Sequence, residues 1–313
     1  MRVVRWPEQE PCADRPSVVT LGVFDGVHRG HAAVIGRVIQ RARGTDRQAV
    51  VVTFDRHPTT VVAERREPVI TSLQHRLRLF EDMGVDLALV VVFTPRVAET
   101  SAEDFVRGVL WRRLRAKVVV LGFDCRFGCR REGDAELCRR MGEELDFEVE
   151  VVPPLLVDGE PVSSTAIRQA IQQGAFERAE RLLGRPFSLY GTVVPGDNRG
   201  DELGYPTANL DLHHEIVPPD GIYVSRALPD GEPLPAVTSV GRRPTFYRDP
   251  DAETVVEVHL IDWSGNLYGR DMEVQFVRHL RGQRTYDTVE ALREQMARDV
   301  AQVRAELADG RGG

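Results

Sequence analysis

No run of uninterrupted apolar residues in this 313-residue chain approaches the roughly 18 that a transmembrane helix needs. The N-terminal segment, MRVVRWPEQEPCADRP, has no apolar stretch of the kind that forms the core of a secretory signal. Positive charge is not in excess either, because the formal net charge is -7. A surface that coats nucleic acid or an anionic membrane is therefore not expected. We predict a cytoplasmic location, with no nucleic-acid partner and no membrane contact.

Cysteine is scarce, with only four residues, at positions 12, 125, 129 and 138. Two of them form a Cys-x3-Cys pair, but no second pair of ligands follows at the spacing of a zinc site. In a reducing compartment they stay thiols. We therefore expect small core or loop residues rather than a metal site.

Two common phosphate-binding motifs are also absent. The chain contains neither GxxxxGK[ST] nor GxGxxG, which excludes the P-loop and the dinucleotide fingerprint. Any phosphate that this protein handles must meet a different local site.

From Ser17 to about Val152, apolar runs rich in β-branched residues alternate with segments whose apolar residues recur at the spacing of a helix. A second helix is expected to end at Gly84, and Ser101 with Asp104 predicts a capping box at the start of a third. Nearly continuous apolar strands separated by helices indicate a parallel sheet covered on both faces. We predict a doubly wound, Rossmann-like α/β domain over residues 1–184, closed by a pair of short helices at 164–173 and 175–183.

After residue 184 the pattern changes to short alternating segments separated by Gly, Pro and Asp, which is typical of an antiparallel barrel or sandwich. A single helix follows, with Asp287 as its predicted cap. Its apolar stripe is predicted to pack in the core and consists of Val289, Leu292, Met296, Val300, Val303 and Leu307. We assign residues 185–307 to this domain and 308–313 to a disordered tail.

The first motif with chemical content is GVFDGVHRGH at 22–31, between the first strand and the first helix. In α/β sheets, ligands bind at the carboxyl ends of the strands, and a helix start offers unpaired N–H groups and partial positive charge to a phosphate. His28 and His31 add donors that respond to developing charge, while Gly26 and Gly30 keep the backbone close. The motif predicts a phosphate site.

A second segment, VSSTAIRQAI at 162–171, places hydroxyl groups at a helix start and an arginine about one turn in. Hydroxyl caps are common, so this segment alone leaves simple capping and phosphate binding equally open. In combination, the residues that would surround a triphosphate from two sides are His28, His31, Ser164, Thr165 and Arg168.

The second half carries GTVVPGDNRGDELGYPTANL at 191–210. Its glycines would let a loop fold closely over a phosphate chain. Thr207 and Asn209, two apart on a strand, would project oxygens to one side, and Mg²⁺ accepts such oxygens together with nucleotide phosphates. A turn-rich hairpin without a ligand is the alternative that these residues alone leave open.

Glu257 lies in the apolar run VEVHLID. An acid there either faces solvent on an alternating strand or points into a site where a raised pKa would suit a general base. Alternation puts Val255 and His259 on the same face as Glu257, so periodicity does not decide between the two.

The pair HRGH and SSTAIR, in this order within an α/β domain, resembles the nucleotidylyltransferase superfamily. The second half resembles the riboflavin kinase module in GDNRGDELGYPTANL, VTSVGRRPTF and VEVHLIDWSGNLYGRDMEVQFVRHLR. With the linker LLGRPF, the likeness covers roughly residues 15 to 307, and the chain is similar to the bacterial bifunctional riboflavin kinase/FAD synthetase family.

For the second half, this resemblance implies phosphorylation of riboflavin by ATP to give FMN. Glu257 would take the proton of the ribityl 5′-hydroxyl, and Thr207 and Asn209 would hold Mg²⁺–ATP. The glycines that would cover the phosphates are Gly191, Gly196, Gly200 and Gly204.

For the first half, the resemblance implies in-line attack of FMN on a second ATP, giving FAD and pyrophosphate. His28, His31 and Arg168 would stabilise the charge that moves onto the pyrophosphate. The further ATP-binding residues would be Gly22, Phe24, Asp25, Gly30, Ser164 and Thr165. The flavin side would be lined by Phe54, Asp124 and Phe127.

Four positions depart from the family pattern or vary within it, namely Asp124, Cys125, Pro161 and Asp201, and their effect on either activity is open. Three other functions also remain as alternatives: a kinase with a silent first half, a non-catalytic flavin sensor, and adenylyl transfer to pantetheine phosphate or nicotinate mononucleotide. The last leaves the second half without a purpose. The sequence does not decide the oligomeric state, the orientation of the domains or the transfer of FMN between sites.

Overall fold

The computed structural model of the protein describes residues 1–10, 13–56, 68–196, 200, 203–213, 215–229, 231–242 and 254–308. The chain divides into two compact units, Met1–Ser164 and Thr165–Gly313.

The first unit is built on a six-stranded sheet with the order β1-β4-β3-β2-β5-β6, in which every neighbouring pair is parallel. The strands are β1 (Arg2–Trp6), β2 (Ser17–Leu21), β3 (Gln48–Phe54), β4 (Leu87–Val91), β5 (Ala116–Gly122) and β6 (Glu148–Val152). All residues of β2 and β4 are buried, which explains their continuous apolar sequence. The predicted doubly wound parallel sheet is confirmed.

Helices pack on both faces of this sheet, and the sheet lies between two apolar cores. The helices of the first unit are α1 (Arg29–Ala42), α2 (Leu73–Met83), α3 (Pro95–Ala98), α4 (Ala102–Phe105) and α5 (Ala135–Leu145). Helix α4 continues into a π-helical segment, Val106–Arg113. One core contains Ile35 and Phe80, and the other contains Leu110 and Met141. A two-stranded hairpin of β7 (Leu156–Val157) and β8 (Glu160–Pro161) follows the sheet.

The predicted helix boundaries in this unit hold with one difference. Helix α2 ends at Gly84, whose φ of 89° is in the left-handed region that glycine favours. Ser101 caps α4 by accepting a hydrogen bond from the backbone N–H of Asp104 at 3.0 Å. The carboxylate of Asp104 accepts from the Ser101 hydroxyl at 2.8 Å, so the reciprocal half of the predicted capping box is replaced by a side-chain contact.

Several elements of this unit were missed by the sequence analysis, of which β1 and α5 are the most informative. Strand β1 lies at the sheet edge beside β4, and only Val4 of its five residues is buried. An edge strand needs little apolar sequence, so its pattern is weak. Helix α5 was not predicted, although Asp134 caps it by accepting from the N–H groups of Glu136 and Leu137 at 3.0 and 2.9 Å.

The second unit contains a closed antiparallel barrel with the strand order β10-β13-β12-β11-β14-β9. Its strands are β9 (Ser188–Val194), β10 (Ala208–Asp211), β11 (Gly221–Leu228), β12 (Leu234–Arg242), β13 (Thr254–Leu260) and β14 (Asp271–Arg281). Each corresponds to one of the short alternating segments of the sequence. The predicted barrel with a C-terminal helix is confirmed.

The helices α6 (Ser164–Gln172) and α7 (Phe176–Leu183) lie within the second unit except for Ser164. The ring of Phe176 packs against Phe187, Tyr223 and Phe276 at centroid distances of 6.0, 5.7 and 5.6 Å. We expected this helix pair to close the first domain, whereas its contacts group it with the second unit. An amphipathic helix shows which face is buried but not which core buries it. The domain bounds 1–184 and 185–307 stay a prediction.

The last helix, α8 (Val289–Ala308), differs from expectation at its start and along its apolar stripe. Thr288, not Asp287, caps it, because Thr288 Oγ1 accepts from the N–H of Ala291 at 3.2 Å. Val303 is buried against the barrel, whereas Val289 is 56% exposed. The predicted tail beyond Ala308 lies outside the described residues.

Candidate functional site

The motif at 22–31 lies where the strand order of the first unit reverses. Strand β2 has β3 on one side and β5 on the other, and the chain reaches these neighbours by connections that run in opposite directions. Such a switch point opens a crevice at the carboxyl ends of the strands. The thiol of Cys125, just after β5, donates to the carbonyl of Leu21 at the end of β2 across 3.6 Å. The motif therefore occupies the predicted ligand-binding position.

The two histidines of the motif are in direct contact at the start of α1. His28 is the N-cap, and its Nδ1 accepts from the backbone N–H of His31 at 3.2 Å. The two rings are stacked, with centroids 3.5 Å apart and planes 16° from parallel. Because Nδ1 accepts, the proton of neutral His28 sits on Nε2, which is a donor.

The glycines and the aromatic residue of the motif shape the histidine pair. Phe24 is buried and has a φ of 54°, and its ring meets that of His31 edge-on at 5.2 Å. A Cβ at Gly22 would lie 3.1 Å from the Phe24 ring, and one at Gly30 would lie 3.2 Å from the His28 ring. An alanine at either glycine position would therefore require the neighbouring ring to move by a few tenths of an ångström.

Asp25 fixes the loop to the segment that precedes α2. Its Oδ1 accepts from the backbone N–H groups of Ile70 and Thr71 at 2.8 and 3.1 Å. The N–H of Gly26 donates to Thr71 Oγ1 at 2.9 Å, and the Ser164 hydroxyl donates to the carbonyl of Asp25 at 3.0 Å. Asp25 and Ser164, which we predicted to bind ATP, are thus engaged in holding the histidine loop, and any contact with ATP stays a prediction.

Arg76 is a residue of this site that the sequence analysis missed. It is buried on α2 and donates through Nη1 to Thr53 Oγ1 at 2.9 Å and to the carbonyl of Val23, and through Nη2 to the carbonyl of Phe54 at 3.0 Å. The guanidinium joins the loops that follow β2 and β3. The only sequence feature that could have indicated its burial is its position next to the apolar residues of α2.

The predicted flavin-lining residues are in different environments. Phe54 ends β3, is half-buried and meets Phe93 edge-on at 5.6 Å, and Asp124 is exposed just after β5. Phe127 is only 6% exposed and packs against Phe105 in the core, with the ring centroids 6.1 Å apart. The neighbouring Phe123, which we did not predict, is 59% exposed.

Thr165 and Arg168 lie on α6 and belong to the second compact unit. Thr165 is exposed and Arg168 is half-buried. Their predicted contact with a triphosphate held by the histidines stays a prediction.

The second unit has a cavity of about 400 Å³ against the barrel. It is lined by Gly200, Leu203, Tyr205, Thr207, Asn209, Ile222, Val237, Ser239, Gly241, Arg242, Val255, Glu257, His259, Arg281, Gln283, Leu292, Met296, Asp299 and Val300. The structure therefore brings together the three predicted kinase residues, Thr207, Asn209 and Glu257.

The strand register decides where Glu257 points. Val256 and Val258 are fully buried in the barrel interior, so Glu257 lies on the opposite face of β13, toward the cavity. Asn209 of β10 stands directly opposite Glu257, and Ser239 of β12 is its partner on the other side. The alternative of an acid in bulk solvent is therefore wrong.

Two of the predicted glycines are in contact with the predicted metal ligands. A Cβ at Gly196 would lie 2.0 Å from the side-chain amide nitrogen of Asn209. A Cβ at Gly200 would lie 2.4 Å from the carbonyl oxygen of Tyr205 and 3.0 Å from Thr207 Oγ1. The chain before and after 197–199 thus closes tightly over both side chains, and a larger residue at Gly196 would have to displace the Asn209 amide.

The other two glycines have different tasks. Gly191 is buried within β9, where a Cβ would lie 2.4 Å from the carbonyl oxygen of Asp211, so it allows two strands to pack closely. Gly204 forms an exposed turn with a φ of 84°. Neither of them lines the cavity.

Helix α8 supplies one wall of the cavity, which the sequence analysis missed. Leu292 and Met296 face the cavity rather than the core assigned to them, while Val300 lines the cavity and also packs against the core around Val303. Asp299 on the same helix forms a two-pronged ion pair with Arg281 of β14, with Nη2–Oδ2 and Nε–Oδ1 distances of 2.7 and 3.1 Å. Burial acts to lower the pKa of Arg281, but the hydrogen bond and charge of Asp299 outweigh it, so that pKa is raised.

Comparison with known proteins assigns a family to each half of the chain. The FAD synthetase family model matches residues 10–166, and the riboflavin kinase family model matches residues 183–307. The chain is 37% identical over 293 residues to the bifunctional riboflavin kinase/FMN adenylyltransferase of Escherichia coli strain K12, covering 93% of this chain and 91% of that protein. The chain belongs to the bifunctional riboflavin kinase/FMN adenylyltransferase family.

Other relatives extend this likeness. The family member of Bacillus subtilis strain 168 is 34% identical over 288 residues, covering 90% of each chain. A solved structure described as a macrolide-efflux protein from Streptococcus pneumoniae matches with a TM-score of 0.80 and 31% identity, covering 97% of this chain and 99% of that one. In the part of our chain that the structure describes, no helix has the length and apolarity to cross a membrane.

Three of the four residues singled out against the family pattern are described. Asp124 and Pro161 are exposed, while Cys125 is half-buried and its burial raises the pKa of the thiol to about 12. Asp201 lies outside the described residues. Cys125, Cys129 and Cys138 are free thiols, as predicted, and Cys12 is not described.

Magnesium, which the family implies, suits the donors in the barrel cavity. The described residues contain no group of three or more His, Cys, Asp or Glu placed to hold a metal by themselves. Thr207 and Asn209 offer neutral hard oxygens on one face, and the close approach of Gly196 and Gly200 holds them in place. Such a pair fits an ion that arrives with nucleotide phosphates.

Proposed function

We propose that this chain phosphorylates riboflavin with ATP to give FMN and then transfers the AMP part of a second ATP to FMN, giving FAD and pyrophosphate. The observation that supports both steps is that each compact unit has its own cluster, His28 with His31 in one and Thr207, Asn209 and Glu257 in the other. Membership of the bifunctional family supports the same assignment.

In the kinase step, the ribityl 5′-hydroxyl oxygen attacks the γ-phosphorus of ATP and ADP leaves. Glu257 accepts the hydroxyl proton, as a half-buried carboxylate on the cavity face of β13. Asn209 stands opposite it on β10, so the proton acceptor and the phosphate-binding residues adjoin. This proximity suits phosphoryl transfer, where catalysis depends mainly on positioning and charge stabilisation.

Thr207 and Asn209 would hold Mg²⁺ together with the phosphates of ATP, and the ion would screen their charge. A neighbouring hollow of about 300 Å³ also includes Thr207 and contains Trp263 and Tyr268. Its aromatic side chains suit the nucleotide base. The apolar wall of α8, formed by Leu292 and Met296, suits the flavin ring.

In the adenylyl step, a phosphate oxygen of FMN attacks the α-phosphorus of ATP and pyrophosphate leaves. His28 Nε2–H and the His31 ring stand at a helix N-terminus, where the helix dipole also favours negative charge. Arg168 and Thr165 would bind the same phosphates, and Ser164 would hold the loop. On the flavin side, Phe54 and Asp124 would contact the ring system, and Phe127 would support them from the core.

The first test is a chromatographic time course of the purified chain with riboflavin, ATP and Mg²⁺. We expect FMN to rise first and then convert to FAD. FMN that accumulates without FAD would leave a kinase with a silent first half, and flavin binding without turnover of ATP would leave a sensor. Omission of Mg²⁺ should stop FMN formation.

The second test separates the two sites by substitution. His28→Ala or His31→Ala should lower FAD formation about 100- to 1000-fold, as removal of one oxyanion donor does, and should spare FMN formation. Glu257→Gln should abolish FMN formation and spare FAD formation from supplied FMN. His279→Ala, an exposed histidine of β14 outside both clusters, is the control. Loss of both activities from one variant that folds normally would contradict separate sites.

The cytoplasmic location remains part of the proposal, because both steps consume ATP.

A further inference from the structure

His259 is a half-buried residue of β13 to which neither step above gives a task. It lies two residues beyond Glu257 on the same face and lines the same cavity. Its Nδ1 is 2.8 Å from the backbone carbonyl oxygen of Pro206. A carbonyl oxygen only accepts hydrogen bonds, so Nδ1 must carry the proton and donate.

The hydrogen bond fixes the chain immediately before the metal ligands. The ladder between β10 and β13 begins with Ala208 opposite Val258, so Pro206 and Thr207 lie beyond the paired residues. The His259 side chain links this unpaired stretch to β13 and therefore fixes the plane of the peptide that joins Pro206 to Thr207.

A second set of contacts joins the same stretch to the glycine segment. The ring of Tyr205 meets His259 edge-on at a centroid distance of 5.4 Å. The N–H of Tyr205 donates to the carbonyl of Gly200 at 2.8 Å, and a Cβ at Gly200 would lie 3.0 Å from Thr207 Oγ1. His259 thus contacts both Pro206 and Tyr205, and Tyr205 is in turn hydrogen-bonded to Gly200.

We propose that His259 is a positioning residue for the metal–nucleotide site of the kinase. By holding the Pro206 carbonyl, it orients Thr207 and, through the start of β10, Asn209. The inference rests on the proposed role of these two residues as ligands of Mg²⁺–ATP. Because Nδ1 is engaged with the backbone and Glu257 takes the proton, loss of His259 acts on nucleotide binding rather than on proton transfer.

Three substitutions at this position separate the two ring nitrogens. Asparagine places an amide nitrogen as many bonds from Cβ as Nδ1 of histidine, and can donate to the Pro206 carbonyl. Glutamine places its amide nitrogen at the distance of Nε2 and does not reproduce the bond. His259→Asn, His259→Gln and His259→Ala therefore test the backbone contact and not merely the presence of a polar side chain.

The measurements are KM for Mg²⁺–ATP and for riboflavin, kcat for FMN formation, and the Kd of Mg²⁺–ADP by calorimetry with the full chain. For His259→Ala and His259→Gln we expect KM for Mg²⁺–ATP and Kd for Mg²⁺–ADP to rise about tenfold, the equivalent of one net hydrogen bond. His259→Asn should stay within about twofold of the unmodified chain. KM for riboflavin and the formation of FAD from supplied FMN should not change.

Two results would overturn the inference. One is nucleotide affinity in His259→Ala equal to that of the unmodified chain. The other is rescue by glutamine and not by asparagine, which would mean that Nε2 acts directly on a ligand. Thermal unfolding of each variant and of His279→Ala controls for folding, and if His259→Ala fails to fold, the asparagine and glutamine pair still decides. An unmodified chain that makes no FMN would instead refute the kinase function, while Mg²⁺–ADP binding would still report on His259.

Discussion

At Gly196 the chain approaches Asn209 more closely than any side chain allows, since a Cβ would lie 2.0 Å from the amide nitrogen. Gly196→Ala must therefore displace Asn209 from the position it shares with Thr207 and Glu257. We expect riboflavin phosphorylation to fall about 100-fold, the loss associated with a misplacement of about 1 Å. FAD formation from supplied FMN should be unchanged. Steady-state assays of both reactions measure the two effects.

The matched control is Gly36→Ala on α1, where an added Cβ meets nothing within 4 Å. Alanine in a helix interior is favourable by up to about 1 kcal/mol relative to glycine, so this variant should keep both activities and be no less stable. Normal phosphorylation by Gly196→Ala would show that the Asn209 amide does not contribute at its observed position.

Single residues also show where sequence patterns stop being informative. The histidine motif predicted a helix start and a strand end, and both are observed, because glycines and caps act locally. Periodicity could not orient Glu257, since either face of β13 carries valine, and only the register with β10 and β12 decides it. Nor could local sequence distinguish the buried Phe127 from the exposed Phe123, because that difference depends on packing against Phe105.

Between elements, Asp299 and Arg281 join α8 to β14, with side chains only 6% and 16% exposed. Asp299→Asn would leave a buried guanidinium without its counter-charge, which costs about 3 kcal/mol or more. We expect the free energy of unfolding of the second unit to fall by about that amount in urea. Because both residues line the cavity, the affinity for riboflavin should weaken as well.

The control for this prediction lies on the same two elements. Arg278 and Glu306 also pair across β14 and α8, with Nε–Oε1 at 2.7 Å, but the Arg278 side chain is 40% exposed. Glu306→Gln should cost about 1 kcal/mol or less, as solvent-exposed pairs do. Equal losses in the two variants would mean that burial does not determine the strength of these pairs.

Whether an element could be predicted depends on how much of its environment is local. The six barrel strands were all identified from alternation and turn residues, since each strand buries only one face. Strand β1 was missed because it lies at the sheet edge, where only one of its five residues is buried and the apolar pattern is weak. Helix α8 was found, but Leu292 and Met296 of its apolar stripe line the cavity instead of the core. A periodic stripe does not distinguish a protein core from a ligand-binding wall.

At the scale of the whole molecule, the sequence indicated two domains from a change in pattern, and two compact units are observed. The pattern changes at residue 184 because strands replace helices there. Contacts divide at residue 164 because α6 and α7 lie with the barrel. A change in secondary structure and a boundary between cores are different properties, and only the first can be read from the order of residues.

This difference leads to a prediction about which segments fold together. Phe176 of α7 is buried against Phe187, Tyr223 and Phe276, so Phe176→Ala in the full chain should destabilise the second unit by about 3 to 5 kcal/mol. FMN formation should lose heat resistance in parallel. Phe123→Ala, at the 59% exposed phenylalanine of the first unit, is the control and should leave the melting of the second unit unchanged.

Fragments test the same point independently. A fragment of residues 165–313 retains the Phe176 cluster and should melt cooperatively and phosphorylate riboflavin, whereas residues 185–313 should melt at a lower temperature and expose apolar surface to a hydrophobic dye. If the two fragments melt alike, α7 contributes nothing to the barrel and the division at residue 184 is the correct one. If the shorter fragment alone is destabilised, the helix pair is part of the kinase fold, and its first turn, which carries Thr165 and Arg168, is anchored to that unit by α7.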